Sequence, residues 1–229
     1  MSTLRGKELK KLKLYMRSLS AVCLKGNLAY YFTLYAYGGL REKFVGRRLI
    51  TSTLEEGWRI GDAQSLKHNL GWLLEGGSRH EFNKMRYLLS ALSDADRVKY
   101  IESQSKENES YAKLCIVNYY MNKLPADGIA AFDYAWYIYL CRAGRTLGYL
   151  SEHESQQRMI YVAQRIQQSY SGWNEYIAAY VCGGQFVAKD NTFAFAKKNE
   201  AYLTKLFAAE RSPLRQLDWD MQLPTLSRI

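Results

Sequence analysis

From Ile129 to Leu147 the side chains Ile129, Phe132, Trp136, Leu140, Ala143 and Leu147 recur every three or four positions. That spacing lines one face of an α-helix and fits no strand. Gly148 ends the run, and Ser151-Glu152-His153-Glu154 reads as an S-x-x-E capping box that opens the next helix. Met159, Val162, Ala163 and Ile166 form that helix's apolar stripe. Ser171 then caps a third helix carrying Trp173, Tyr176, Ile177 and Tyr180, with Gly183-Gly184 as its expected stop. Three apolar helical stripes in tandem can bury themselves only against one another or against further helices.

The rest of the chain agrees. There are three prolines, Pro125, Pro213 and Pro224, and almost no period-two alternation. Residues 4–24 form a first helix with Leu9, Leu12, Met16, Leu19 and Cys23 on one face, and a Tyr-rich helix is expected from Leu28 to Tyr37. Asp62 can cap a helix whose inward residues are Leu66, Leu70, Leu73 and Leu74, stopping at Gly76-Gly77. The next runs from Arg79 to Ala91 with Phe82, Met85, Leu88 and Leu89 inward, and a polar helix follows Ser93. Residues 109–122 bury Leu114, Val117 and Met121, and Pro125 is expected to open the longest helix. Asn191 starts the last helix and Pro213 closes it. The expected fold is all-α: a compact multi-helix orthogonal array with a basic N-terminal helical extension. The extension spans residues 1–48 and the helical domain residues 49–229.

Charge separates these two parts. Residues 1–48 hold eleven Lys and Arg against two acidic residues, whereas the remaining chain holds twenty-one against twenty. Nine of the ten net positive charges therefore belong to the N-terminal fifth. An anionic partner, whether nucleic acid, lipid or acidic protein, would meet the chain there. The patch is Lys7, Lys10, Lys11, Lys13 and Arg17, and Tyr30, Tyr31, Tyr35 and Tyr37 follow it as aromatic recognition candidates. Tyrosines beside cations suit stacking on single-stranded bases, and suit a protein interface equally.

Cys23, Cys115, Cys141 and Cys182 are scattered without a C-x-x-C pair, as expected of free thiols in a reducing compartment. Leu19-Ser20-Ala21-Val22-Cys23 faintly resembles a lipoprotein cleavage site, but Arg17 interrupts the apolar run before it. No run reaches transmembrane length. The expected location is the cytoplasm.

Several motifs succeed one another in a family-like order: Gly77-Ser78-Arg79 with Phe82, Phe132-Asp133, Gly148-Tyr149-Leu150-Ser151-Glu152, Tyr170-Ser171-Gly172-Trp173-Asn174-Glu175-Tyr176, Tyr180-Val181-Cys182-Gly183-Gly184, and Ser212-Pro213-Leu214 with Trp219. The succession resembles the bacterial domain-of-unknown-function 1266 family, over roughly the C-terminal three-quarters of the chain. The resemblance implies an all-helical bacterial cytoplasmic domain with no assigned reaction, some of whose relatives sit near chaperone genes or toxin–immunity clusters. Trp136, Gly184 and Ser78 stand where the family pattern has Arg, Arg and His. A polar site built on those residues in relatives would be largely lost here.

One carboxylate stands out. Asp133 lies beside the inward stripe of the longest helix, and a buried carboxylate requires a cation or several N–H donors. Arg79 is the first candidate partner and Arg142 the second. The pair reads either as a general acid/base in a pocket or as a fixture of helix register. His68, His80 and His153 have no metal-ligand spacing, there is no G-x-S-x-G, and the paired glycines read as helix stops rather than phosphate loops. No metal, cofactor or catalytic residue is expected. The function these features favour is a non-enzymatic protein-binding module, most concretely an immunity or adaptor protein occluding a neutral or acidic partner such as a toxin. Two alternatives stand beside it: nucleic-acid binding through residues 5–48, and an enzyme of unrecognised type centred on Asp133 and Arg79.

Overall fold

The computed structural model describes residues 6–23, 47–192, 194–208, 210 and 212–225, and no strand occurs among them. The helices are α1 Gly6–Leu19, followed by a 3-10 turn at Ala21–Cys23, then α2 Arg47–Trp58, α3 Ala63–Glu75 and α4 Gly77–Ser90. They continue as α5 Asp94–Glu102, α6 Glu109–Tyr120, α7 Ala130–Leu147, α8 Glu152–Ser169, α9 Trp173–Ala188, α10 Ala194–Ala208 and α11 Pro213–Gln216. The result is a multi-helix array. The expected Leu28–Tyr37 helix lies outside the described residues.

Helix α7 is the axle. Helices α1, α2, α3, α4, α8 and α9 all pack on it. It is therefore buried nearly all round, with Ala130, Ala131, Asp133 to Ala135 and Tyr137 to Gly144 inside. A one-sided stripe does not describe it. Phe132, Trp136 and Leu147, expected inward, are only half-buried, because the helix has no single solvent face for the pattern to oppose.

The longest helix begins later than Pro125. Gly128, at φ +53°, turns the chain first, and its N–H donates to the Pro125 carbonyl at 2.9 Å. The start of α7 is then seated by Tyr170, whose hydroxyl accepts from Ala131 N at 2.7 Å and donates to the Gly128 carbonyl at 3.0 Å. Arg86 takes up the carbonyls of the preceding turn, those of Met121, Leu124, Pro125 and Ala126, so they need no helix of their own.

Gly183 and Gly184 do not stop α9. The helix runs on to Ala188 and ends where Lys189 adopts φ +56°. Both glycines are buried contact points: a Cβ at Gly183 would lie 2.4 Å from Phe132 Cβ, and one at Gly184 2.3 Å from Phe195 Cζ. Pro213 likewise opens the short helix α11 instead of closing the one before it, and α10 starts at Ala194, three residues after Asn191.

Elsewhere the sequence expectations and the helices agree in part. Leu66, Leu70 and Leu73 are fully buried on α3, and Asp62 closes a full capping box with Ser65. Ser151 caps α8 by accepting from Glu154 N, but the Glu154 carboxylate turns to Arg158 and Lys67. Leu88 on α4 is exposed rather than inward. Ser171 does not cap α9; its N–H donates to Glu175 Oε2, and Gly172 occupies the cap position.

Helix α1 is docked on the body. Leu12, Tyr15, Met16 and Leu19 are buried against it. Tyr176, fully buried on α9, donates its hydroxyl to the Leu19 carbonyl at 2.7 Å. The Tyr15 hydroxyl donates to the Trp219 carbonyl at 2.9 Å, and Gln167 Nε2 reaches Tyr15 Oη, Trp219 O and Met221 O. The N-terminal helix and the C-terminal segment are thus clasped together over α8 and α9. Among the described residues, no helix is long and apolar enough to cross a membrane.

Candidate functional site

The α3–α4 junction is so tight that α4 has no room for a capping side chain of its own. Gly76 ends one helix and opens the next without a side-chain cap. The cap comes from α7. Asp133, 0% exposed, accepts from Ser78 N at Oδ1 (2.9 Å) and from Arg79 N at Oδ2 (3.0 Å). The Arg79 guanidinium closes the arrangement: Nη1 meets Asp133 Oδ2 at 3.0 Å and the Leu73 carbonyl at 2.6 Å, and Nη2 meets the Leu74 carbonyl at 2.6 Å. Its Cζ lies 4.9 Å from the Tyr134 ring centroid. One ion pair thereby satisfies both the first N–H groups of α4 and the last carbonyls of α3.

Arg79 is the predicted partner of Asp133. Arg142, the second candidate, lies elsewhere and donates from Nη1 to Ser20 Oγ at 2.6 Å. Burial raises the Asp133 carboxyl above its ordinary value, while the two N–H groups and the guanidinium pull it down. Both carboxylate oxygens are engaged and no part of the side chain reaches solvent. The geometry is that of a structural clamp.

Three of the four thiols are withdrawn from solvent and Cys115 is half-buried. Cys23, Cys141 and Cys182 are buried, and desolvation pushes each thiol well up from its ordinary range. His68, His80 and His153 are exposed and far apart in sequence, and the described residues contain no group of three His, Cys, Asp or Glu that could hold a metal.

The basic patch is a helix face rather than a loose tail. Lys7, Lys10, Lys11 and Lys13 are exposed along α1, opposite its buried Leu12, Tyr15 and Met16. Lys11 pairs with Asp218 at 3.3 Å, Lys13 with Glu152 at 3.3 Å, and Arg17 donates from Nε to the Lys13 carbonyl at 3.1 Å. Tyr30, Tyr31, Tyr35 and Tyr37 lie outside the described residues.

Docking of α1 creates a cleft that sequence reasoning missed. It opens between α1, the end of α7 and the start of α8, and encloses about 70 Å³. Its apolar lining comes from Leu12, Met16, Met159 and Ile160, the buried Arg142 lines it too with Arg17 and Gln156, and the more open Lys13, Arg145 and Glu152 stand at its mouth. Glu152 Oε1 accepts from both Lys13 Nζ (3.3 Å) and Arg145 Nη1 (3.2 Å). No spacing in the sequence announces this, since Lys13 and Glu152 are 139 residues apart.

The family described as "Protein of unknown function (DUF1266)" matches residues 53–219. The chain belongs to this family. The matched DUF1266 segment contains α7 as axle and the whole Asp133–Arg79 clamp, whereas α1, and with it one wall of the cleft, lies outside it. An uncharacterized protein, YbeR of Escherichia coli (strain K12), is 25% identical over 133 residues, covering 58% of this chain and 56% of the relative. The chain thus spans little more than half the length of that curated relative. No solved structure matches it.

Proposed function

We propose that this DUF1266 chain is a non-enzymatic protein-binding module, an immunity or adaptor protein that occludes a neutral or acidic partner such as a toxin. The observation that carries this reading is the anchored lysine face of α1. Lys7, Lys10, Lys11 and Lys13 ride on a helix whose other side is buried and clasped by Tyr176 and Gln167. A charged face held in place presents a fixed pattern, which favours recognition and steering of an oppositely charged surface. The saturated state of Asp133 supports the same reading, because a general acid or base needs a free position facing a substrate.

The test is affinity capture from the native host with and without nuclease, read by mass spectrometry. A single stoichiometric protein that survives nuclease is the expected result. Recovery of ribosomal or nucleoid components that vanish after nuclease would overturn the reading and move the function to nucleic acid at the same basic helix.

A further inference from the structure

Two cations at the mouth of the α1–α7–α8 cleft share a single carboxylate oxygen. Lys13 Nζ and Arg145 Nη1 both point at Glu152 Oε1, at 3.3 and 3.2 Å. The acceptor is itself exposed, with 63% of its side chain open to solvent, and the two donors are 47% and 36% open. Such pairs exchange with little cost. Behind them the apolar lining is Leu12, Met16, Met159 and Ile160, two of them methionines able to adapt to what they receive. The first turn of α8 adds the positive end of its dipole at the same mouth.

The size of the cleft restricts its occupant. At about 70 Å³ it is far smaller than the roughly 300 Å³ and upwards of a typical small-molecule site, yet it has room for a side chain. Its chemistry, aliphatic and methionine walls with Lys13, Arg17, Arg142 and Arg145 among them, matches a carboxylate on a short aliphatic stem.

We infer that the cleft receives a glutamate or aspartate side chain from an acidic segment of the protein partner. Glu152 is the internal placeholder for that carboxylate. The incoming acid replaces Glu152 on Lys13 and Arg145, and its stem covers the apolar lining. The inference rests on the binding-module reading and names the surface that reading would use.

The experiment is an NMR titration of the full ¹⁵N-labelled chain with a blocked hexapeptide of alternating glutamate and leucine, at low salt. Amide shifts are expected at Lys13, Arg145 and Ile160, and a lysine–leucine peptide of equal length should leave them unmoved. Glu152→Gln removes the competitor and should tighten peptide binding about threefold, whereas Arg145→Gln should weaken it about threefold, each within the range of an exposed ion pair. Opposite signs from two substitutions on one ion pair cannot both come from loss of fold. Shifts elsewhere on the surface, or a Glu152→Gln variant that binds no tighter, would overturn the inference. Capture from the host separates the two readings. If Arg145→Glu recovers the same partner as the wild type in equal amount, the cleft inference falls while the binding module stands. If the peptide occupies the cleft but no stoichiometric protein is ever captured, the binding module falls and the cleft's preference for an acidic segment stands.

Discussion

The Asp133 carboxylate fills the space where Gly77 lacks a side chain: a Cβ built on Gly77 would lie 2.4 Å from Asp133 Cγ. Gly77 also sits at φ +54°, a conformation that costs other L-residues about 1 kcal/mol or more. Both demands arise from one event, the arrival of α7's carboxylate at the first turn of α4. Gly77→Ala should therefore expel Asp133 from its cap as well as strain the backbone, a loss of roughly 3–5 kcal/mol of the kind seen when one partner of a buried pair is displaced. Asp133→Ala should cost a similar amount, and Asp133→Asn less, since the amide oxygen can still accept one N–H. Urea unfolding of the three variants checks the order. Equal stability of Asp133→Ala and the wild type would remove the clamp.

Tyr170 is the next most specific contact. Its buried hydroxyl accepts from Ala131 N and donates to the Gly128 carbonyl, so one oxygen serves both sides of the turn that starts α7. Tyr170→Phe keeps the ring packing and leaves two buried backbone groups without that partner, a loss of about 1–3 kcal/mol. Thermal unfolding would register it. Tyr170→Trp is expected to be worse, because the larger indole must be forced into a buried, closely packed site.

At Gly183 the demand is for close approach alone. The Phe132 Cβ lies where a methyl group would go, 2.4 Å from an ideal Cβ, and both atoms belong to packed helices. Gly183→Ala should gain in helix propensity yet lose about 1–3 kcal/mol net through overpacking between α7 and α9. A stabilised Gly183→Ala variant would mean that the two helices separate easily.

These positions show which parts of the fold the sequence carries and which it does not. The helical stripes of α3, α6 and α8 were legible because each has one buried side, and period then reports burial. The Asp133–Arg79 pair was legible too, since a carboxylate among aromatic and aliphatic residues must find partners. The glycine pair of α9 misled, because a glycine that ends a helix and one that admits a neighbouring phenylalanine look alike along the chain. Pro125 misled for a related reason: a proline suits a first helical turn, but also suits the separate turn that Arg86 closes. Lys13 joins the local Arg145–Glu152 pair with no linear signal, brought there by α1 docking from 139 residues away.

Acid should probe the start of α3. The Ser65 hydroxyl and N–H hold the Asp62 carboxyl below its ordinary 3.8. A carboxyl depressed in the folded state stabilises fully above its unfolded value, and that benefit fades as the pH falls through the folded one. The gap in melting temperature between wild type and Asp62→Asn should therefore be present at about pH 6 and close as the pH drops below 3.8. Asp133, whose burial raises it, titrates with the opposite sign but is common to both proteins. The difference between the two proteins, rather than the wild-type curve, reads Asp62.

Docking of α1 is the link between fold and proposed function, and it depends on a few polar contacts made in apolar surroundings. Tyr176 Oη holds the Leu19 carbonyl, and Gln167 Nε2 ties Tyr15 to the carbonyls of Trp219 and Met221. Trp173 adds ring contacts to both sides, with centroids 5.4 Å from Tyr15 and 5.0 Å from Trp219. Gln167→Ala should loosen α1 and the C-terminal segment together while leaving α7 and its neighbours intact, because the clasp lies at one edge of the array. Amide hydrogen exchange would show this as faster exchange in residues 12–19 with no change in residues 134–143. If the lysine face must be held still to recognise its partner, Gln167→Ala should also weaken capture of that partner, even though Gln167 carries no charge. Faster exchange spread evenly over the whole chain would instead mean that α1 belongs to the same cooperative unit as the core.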